Sequence, residues 1–263
     1  MVNWSMKNFY NCQDLENIVR ILRHPGGCPW DQEQTHQSIR RNFLEEAYEA
    51  AEAIDRDDAD ALKEELGDVL LQVYFHTSIE EDAGRFTLDD VADGVCKKLI
   101  YRHPHVFGDV TVHSTGEVLS NWEELKKKEK HQDTQADAVD AVARTLPALW
   151  RAEKMKKKAA KAGFDWRDVS GALDKLSEEL DELKAAALDC DGDPVEELGD
   201  LLLAAVSVGR FVNADPEDAL HAACDKFSAR FRKTEELVGS RGLKMDELSE
   251  EELHAIWLEA KHS

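Results

Sequence analysis

Glu178, Glu179 and Glu182 are followed in this chain by Glu196, Glu197 and Asp200. Side chains three and four apart share a helix face, so Glu179 and Glu182 project together, and Glu197 and Asp200 do so one helix later. An earlier copy has the same spacing, with Glu45, Glu46 and Glu49 followed by Glu64, Glu65 and Asp68. Two unit charges 4 Å apart repel by about 4 kcal/mol at an effective dielectric near 20. Four carboxylates facing one another between antiparallel helices therefore call for a cation. Oxygen-only donors favour Mg²⁺ or Mn²⁺ over softer metals. The expected ligands are Glu179, Glu182, Glu197 and Asp200, with Glu46, Glu49, Glu65 and Asp68 as a second copy. Mg²⁺ is the expected cofactor, Mn²⁺ the possible substitute.

The repeat extends beyond the carboxylates. Lys98 and Arg102 stand four apart, as do Lys226 and Arg230. Each half then ends on a tryptophan with a lysine four residues on, Trp122 with Lys126 and Trp257 with Lys261. Cations suited to phosphate oxygens and a ring suited to stacking on a base, next to a hard-metal cage, describe a site for a metal-chelated polyphosphate with a base attached. Taken singly, each feature reads as a solvated helix face or a core aromatic. The ordered combination, written twice, favours the chemical reading.

Helices must position these groups. Apolar residues at helical spacing predict helices over about 12–24, 34–55, 59–82 and 88–102, and a further one containing Trp122. The Thr87/Asp90 pair resembles a capping box, and 24–31 is too rich in Pro and Gly to be helical. In the second half, helices are expected up to Lys161, over 168–189 and 194–211, from Asp215-Pro216 onward, and from about Ser249. No segment alternates with period two, so the expected fold is all-α: two tandem helical-bundle domains. The charged, Gln-rich stretch after Lys126-Lys127-Lys128 lacks large apolar residues and reads as a linker. That places the domains at 1–130 and 145–263, joined by 131–144.

Composition narrows the partners. Lys and Arg total 33 against 55 Asp and Glu in 263 residues, a net charge of −22. Such a balance disfavours a nucleic-acid polymer, which needs clustered cations, but it admits a small phosphorylated ligand that brings its own divalent ions. Five scattered cysteines without a C-x-x-C pair argue for reduced thiols in the cytoplasm. No apolar run approaches the roughly 20 residues of a membrane span, and the N-terminus lacks the apolar run of a signal peptide. A soluble cytoplasmic protein with no membrane partner is expected.

Leu44-Glu45-Glu46-x-x-Glu49, Glu65-Leu66-Gly67-Asp68 and Arg102-His103-Pro104-His105-Val106-Phe107 resemble the MazG family of nucleoside triphosphate pyrophosphohydrolases. Gly27-Cys28-Pro29-Trp30-Asp31 and Gly163-Phe164-Asp165-Trp166 do so as well. The resemblance covers nearly the whole chain. It implies a dimeric four-helix-type fold and Mg²⁺-dependent cleavage of NTPs and dNTPs to the monophosphate and pyrophosphate, for nucleotide-pool cleaning or control of stress nucleotides. In hydrolysis with Mg²⁺ one carboxylate would accept the proton of the attacking water, and Glu179 or Glu182 is the catalytic candidate. By the same resemblance Lys175, Lys226, Arg230 and Trp257 would bind substrate, with Lys98, Arg102 and Trp122 as the second copy. A lysine expected ahead of the second Glu-x-x-Asp falls at Asp193. Asn42 stands where the second half has Lys175, which makes the second half the expected catalytic one.

Two other classes compete. A di-iron carboxylate bundle would need two Glu-x-x-His motifs, and only Glu251-x-x-His254 fits. A non-catalytic nucleotide sensor or interaction scaffold would use the Lys-rich segments 126–131 and 154–161, which read more simply as solvated helix and linker. His103 and His105 flank a proline without a third ligand and read as a helix-ending turn.

Overall fold

The computed structural model describes residues 4–129, 134–189 and 191–262. The chain forms two compact units, Met1–Lys126 and Lys127–Ser263, and the described residues are helical with no strand.

The first unit contains α1 (Cys12–Arg23), α2 (Pro29–Glu33), α3 (His36–Asp55), α4 (Ala59–Asp82), α5 (Leu88–Arg102) and α6 (Pro104–Phe107); α7 (Thr115–Glu129) starts in it. Thr35 and Ser38 close a capping box at the start of α3. The turn into α4 is short because Asp57 takes the left-handed conformation at φ 53°, which an Asp tolerates better than most residues. Asp58 then caps α4, accepting the Ala61 N–H at 3.1 Å. The result is a tight antiparallel hairpin of α3 on α4, with α1 laid across α4. Val19, Ile39, Tyr74 and Phe75 form its buried centre, with Leu15, Leu71, Ile79 and Leu88 packed around them. The capping box expected at Thr87/Asp90 is present.

The second unit contains α8 (Gln135–Asp140), α9 (Ala148–Lys161), α10 (Val169–Asp189), α11 (Pro194–Phe211), α12 (Pro216–Ser240) and α13 (Glu250–His262). Here α10 and α11 repeat the antiparallel hairpin, α9 packs on α11 and α12, and α13 lies on α12. Asp193 caps α11 and Asp215 caps α12, each followed by a proline in the first turn.

Two expectations are corrected. Residues 24–31 are not wholly non-helical, because Pro29 sits at the first position of α2 and Pro104 does the same for α6; there the missing N–H costs no hydrogen bond. The stretch read as a linker is folded from Thr134 onward. A Thr134/Asp137 capping box starts α8, which packs on α9, and Ala138 and Val142 are buried. Residues 130–133 lie outside the described ones. No helix among the described residues is long and apolar enough to cross a membrane.

Candidate active site

In the second unit, α10 brings up Glu179 and α11 brings up Glu197 and Asp200. One carboxylate oxygen from each lies within 4.8 Å of the others. Glu179 is buried at 7% exposure. Lys175, one turn earlier on α10, donates to Glu178 at 2.8 Å and to Glu179 at 2.9 Å. Those two bonds hold its ammonium above the usual lysine range. Glu182 adjoins the group through Glu179. Lost hydration first, and then the hydrogen bond that protonated Glu182 donates to Glu179, push its carboxyl up.

The first unit assembles Glu46, Glu49 and Glu65 within the same 4.8 Å. Burial and then repulsion from Asp68, Glu49 and Glu65 raise the Glu46 carboxyl. Glu65 is raised by burial and then by Glu49, Glu64 and Asp68. The fourth expected ligand of each copy, Glu182 or Asp68, thus stands just outside the tightest triplet but within electrostatic reach of it. Carboxylates pressed together until their affinity for a proton rises have the same reason to take up a cation. A set of oxygen donors alone fits a hard divalent ion in both units.

A cavity of about 350 Å³ opens beside the second triplet. Lys175, Glu179 and Asp200 form one wall, and Gly163, Phe164, Asp165 and Trp166 with Lys156 and Arg210 form another. Ala172, Leu203, Ala204 and Ser207 complete the lining. Arg210 pairs with Asp165, whose carboxylate also accepts the Trp166 N–H at 2.9 Å. Small-molecule pockets run from roughly 300 to 1,000 Å³, so this one has the size of a compact ligand. Sequence reasoning assigned no role to Arg210 or to the small residues, and it read Lys156 as part of a solvated face. The Gly163–Trp166 stretch was legible only as a motif.

The remaining predicted residues sit elsewhere. Arg230 places its guanidinium 5.1 Å from the Trp257 ring centre, and Phe227 lies 5.3 Å from the same ring. These groups belong to α12 and α13, and among the described residues neither they nor Lys226 line the cavity. In the first unit Arg102, buried at 7% exposure, lies 5.3 Å from Trp122, and Lys126 lies 5.2 Å from that ring. Lys98 is exposed one turn before Arg102. Asp193, where a lysine was expected, is committed to capping α11, accepting the Val195 N–H at 2.9 Å.

Comparison with known proteins gives a consistent picture. Residues 34–107 match the family model described as the MazG nucleotide pyrophosphohydrolase domain. The chain is 45% identical over 252 residues to the nucleoside triphosphate pyrophosphohydrolase/pyrophosphatase MazG of Thermotoga maritima, covering 95% of each chain. It is 42% identical over 251 residues to the nucleoside triphosphate pyrophosphohydrolase of Escherichia coli K12, covering 94% of this chain and 95% of that one. It is also 46% identical over 257 residues to the uncharacterized protein YabN of Bacillus subtilis, covering 97% of this chain and 52% of that one.

Proposed function

The chain belongs to the MazG family of nucleotide pyrophosphohydrolases, and we propose that it hydrolyses NTPs and dNTPs to the monophosphate and pyrophosphate with Mg²⁺, Mn²⁺ serving as a substitute. The observation that supports this most is the convergence of Glu179, Glu197 and Asp200 within 4.8 Å, with Lys175 bonded to Glu179, at the wall of a ligand-sized cavity.

Glu179, Glu182, Glu197 and Asp200 would hold the metal, and Glu46, Glu49, Glu65 and Asp68 would do so in the first unit. When bound, the ion supplies charge neutralisation at the phosphates and lowers the pKa of a water. Lys175 offers the charge for the triphosphate on the same wall, where it stabilises the departing pyrophosphate. One of the carboxylates, Glu179 or Glu182, accepts the proton of the attacking water.

Lys226, Arg230 and Trp257 complete the phosphate and nucleoside contacts in a homodimer, where a second copy brings an α12–α13 pair to the site. Leu180, Leu198 and Leu202 on the hairpin, and Leu220 and Phe227 on α12, are large apolar side chains left exposed in the single chain. Such faces are those that assembly covers. Cys12, Cys28, Cys96 and Cys224 are free thiols, consistent with the cytoplasm.

The test is to incubate the protein with ATP, GTP and dNTPs plus Mg²⁺ and to resolve the products. Monophosphate with pyrophosphate is expected; diphosphate with inorganic phosphate, or binding without turnover, overturns the proposal. Glu179→Gln is expected to abolish turnover, and Glu46→Gln to retain it.

A further inference from the structure

Two imidazoles of the first unit face each other outside its carboxylate cluster. His36 is the first residue of α3, where the Thr35/Ser38 capping box fixes the backbone. It meets His76, one turn before Glu80 on α4. The two Nδ1 atoms lie 2.7 Å apart. The rings are within 8° of parallel and their centres are 5.0 Å apart, so the nitrogens point at one another edge to edge. Two ring lone pairs so placed repel unless a proton or a metal ion lies between them.

The arrangement is braced from behind. The other nitrogen of His36, Nε2, bonds to Glu80, which is buried at 8% exposure. Arg85 donates to the same carboxylate at 2.7 Å and keeps it an ionised acceptor. Glu80 therefore takes the Nε2 proton of His36 and leaves Nδ1 of the neutral ring bare. A carboxylate in that place is the usual partner of a metal-bound histidine, fixing both tautomer and ring orientation. Phe43 meets the His76 ring edge-on, with centres 5.8 Å apart and 81° between the planes, and so orients the second donor.

We infer that His36 and His76 form a site for a divalent transition ion of the zinc class, bound through both Nδ1 atoms, with water completing its shell. Without metal, His76 donates its Nδ1 proton to His36. On binding, His76 carries that proton on Nε2 instead, so the exchange of tautomers releases no net proton. Imidazole donors suit Zn²⁺, Ni²⁺ or Cu²⁺, whereas the carboxylates of the same unit suit Mg²⁺. With Zn–N bonds of about 2.0–2.1 Å, a tetrahedral angle sets the nitrogens roughly 3.3 Å apart, so the rings part by about 0.6 Å. The His36 side chain, 33% exposed at the end of its helix, leaves a side open to that water. Ten residues separate His36 from Glu46, about 15 Å along the helix, so the two sites are distinct. The ion would clip the open end of the α3–α4 hairpin, far from the turn at Asp57, by joining residues 40 apart in the chain. Closing a long loop is where such a clip gains most.

The experiment titrates Zn²⁺ into the full chain by calorimetry, with Mg²⁺ saturating the carboxylates, and follows melting in parallel. The expected result is a Zn²⁺ site in the parent that His76→Phe removes, together with the Zn²⁺-dependent rise in Tm. Glu80→Gln is expected to weaken the site about 10–100-fold while keeping both imidazoles. Zn²⁺ uptake and Tm rise equal in the parent and His76→Phe, or no Zn²⁺ uptake by the parent, would overturn the assignment. Circular dichroism checks that the His76→Phe variant is folded; if it is not, His36→Gln carries the same comparison.

Discussion

Consider removal of the metal from the second unit. With a chelator present, Glu179, Glu197 and Asp200 keep their oxygens within 4.8 Å, opposed by Lys175 on Glu179 alone among the described contacts. An ion that binds only the folded unit stabilises it by RT ln(1 + [L]/Kd), about 2.7 kcal/mol at a free concentration near 100 Kd. Lys127–Ser263 comprises 137 residues. At about 2.1 cal/mol/K of unfolding entropy per residue, that stabilisation raises Tm by roughly 9 °C. Glu179→Gln removes one donor. If affinity falls about 100-fold, the same Mg²⁺ concentration contributes only about 0.4 kcal/mol, and the rise shrinks to about 1–2 °C. The Glu182 carboxyl is raised above its unfolded value of 4.5. Its contribution is therefore present below about pH 4.5 and lost as pH rises through the folded value. The metal-free unit is disfavoured near neutrality, and the Mg²⁺-dependent rise is largest there and vanishes in mild acid. Scanning calorimetry of the full chain and the variant, with Mg²⁺ or with chelator, measures these shifts. An identical rise in both proteins, or none in either, would refute the assignment of Glu179 as a ligand.

Three further outcomes are expected. Ile39→Ala removes a side chain from the first unit's centre and should cost about 2–5 kcal/mol in urea denaturation, without reducing pyrophosphate release at a temperature where both units are folded. Asp193→Lys restores a cation ahead of the second Glu-x-x-Asp but forfeits the α11 cap. A lower KM for ATP should therefore come with a loss of about 1 kcal/mol of stability, read by kinetics and melting on the same sample. In the first unit, His36 bridges His76, at 2.7 Å, and Glu80, which Arg85 also holds. Burial and then His36 lower His76 below 6.5, and Arg85 and then His36 lower Glu80 below 4.5. Both folded values are depressed, so stability should decline first below about pH 6.5 and again below about pH 4.5. His76→Phe should remove the first decline, and urea midpoints across this range would expose a flat profile if the reasoning fails.

Much of the architecture is legible in residue types because the helices announce their own ends. Asp58, Thr87 and Asp215 each precede an amphipathic run, and the observed caps sit there. Pro29 misled because the role of a proline depends on position: it breaks a helix from within and starts one from the first turn. The segment after Thr134 misled because its composition is polar, yet two small apolar residues, Ala138 and Val142, suffice to anchor it. The carboxylates were legible since metal chemistry constrains both type and spacing. The sequence paired Lys226 with Arg230 and Trp257 with Lys261; the contact of Arg230 with Trp257 comes from the fold, and spacing along α12 and α13 says nothing about which hairpin those helices face.

The cavity was illegible for a deeper reason. A cavity is made by what side chains leave unfilled, and Ala172, Ala204 and Ser207, which line this one, are ordinary residues in any helix. At the matching places of the repeat the first unit carries Ile39, Gln72 and Phe75, all buried. A large-to-small change in a packed core typically costs about 2–5 kcal/mol, a large part of the roughly 5–15 kcal/mol that holds a domain together. A ligand that binds only the folded second unit stabilises it by mass action. The two halves thus differ in two places: Lys175 against Asn42 beside the carboxylates, and Ala172, Ala204 and Ser207 against Ile39, Gln72 and Phe75 behind them.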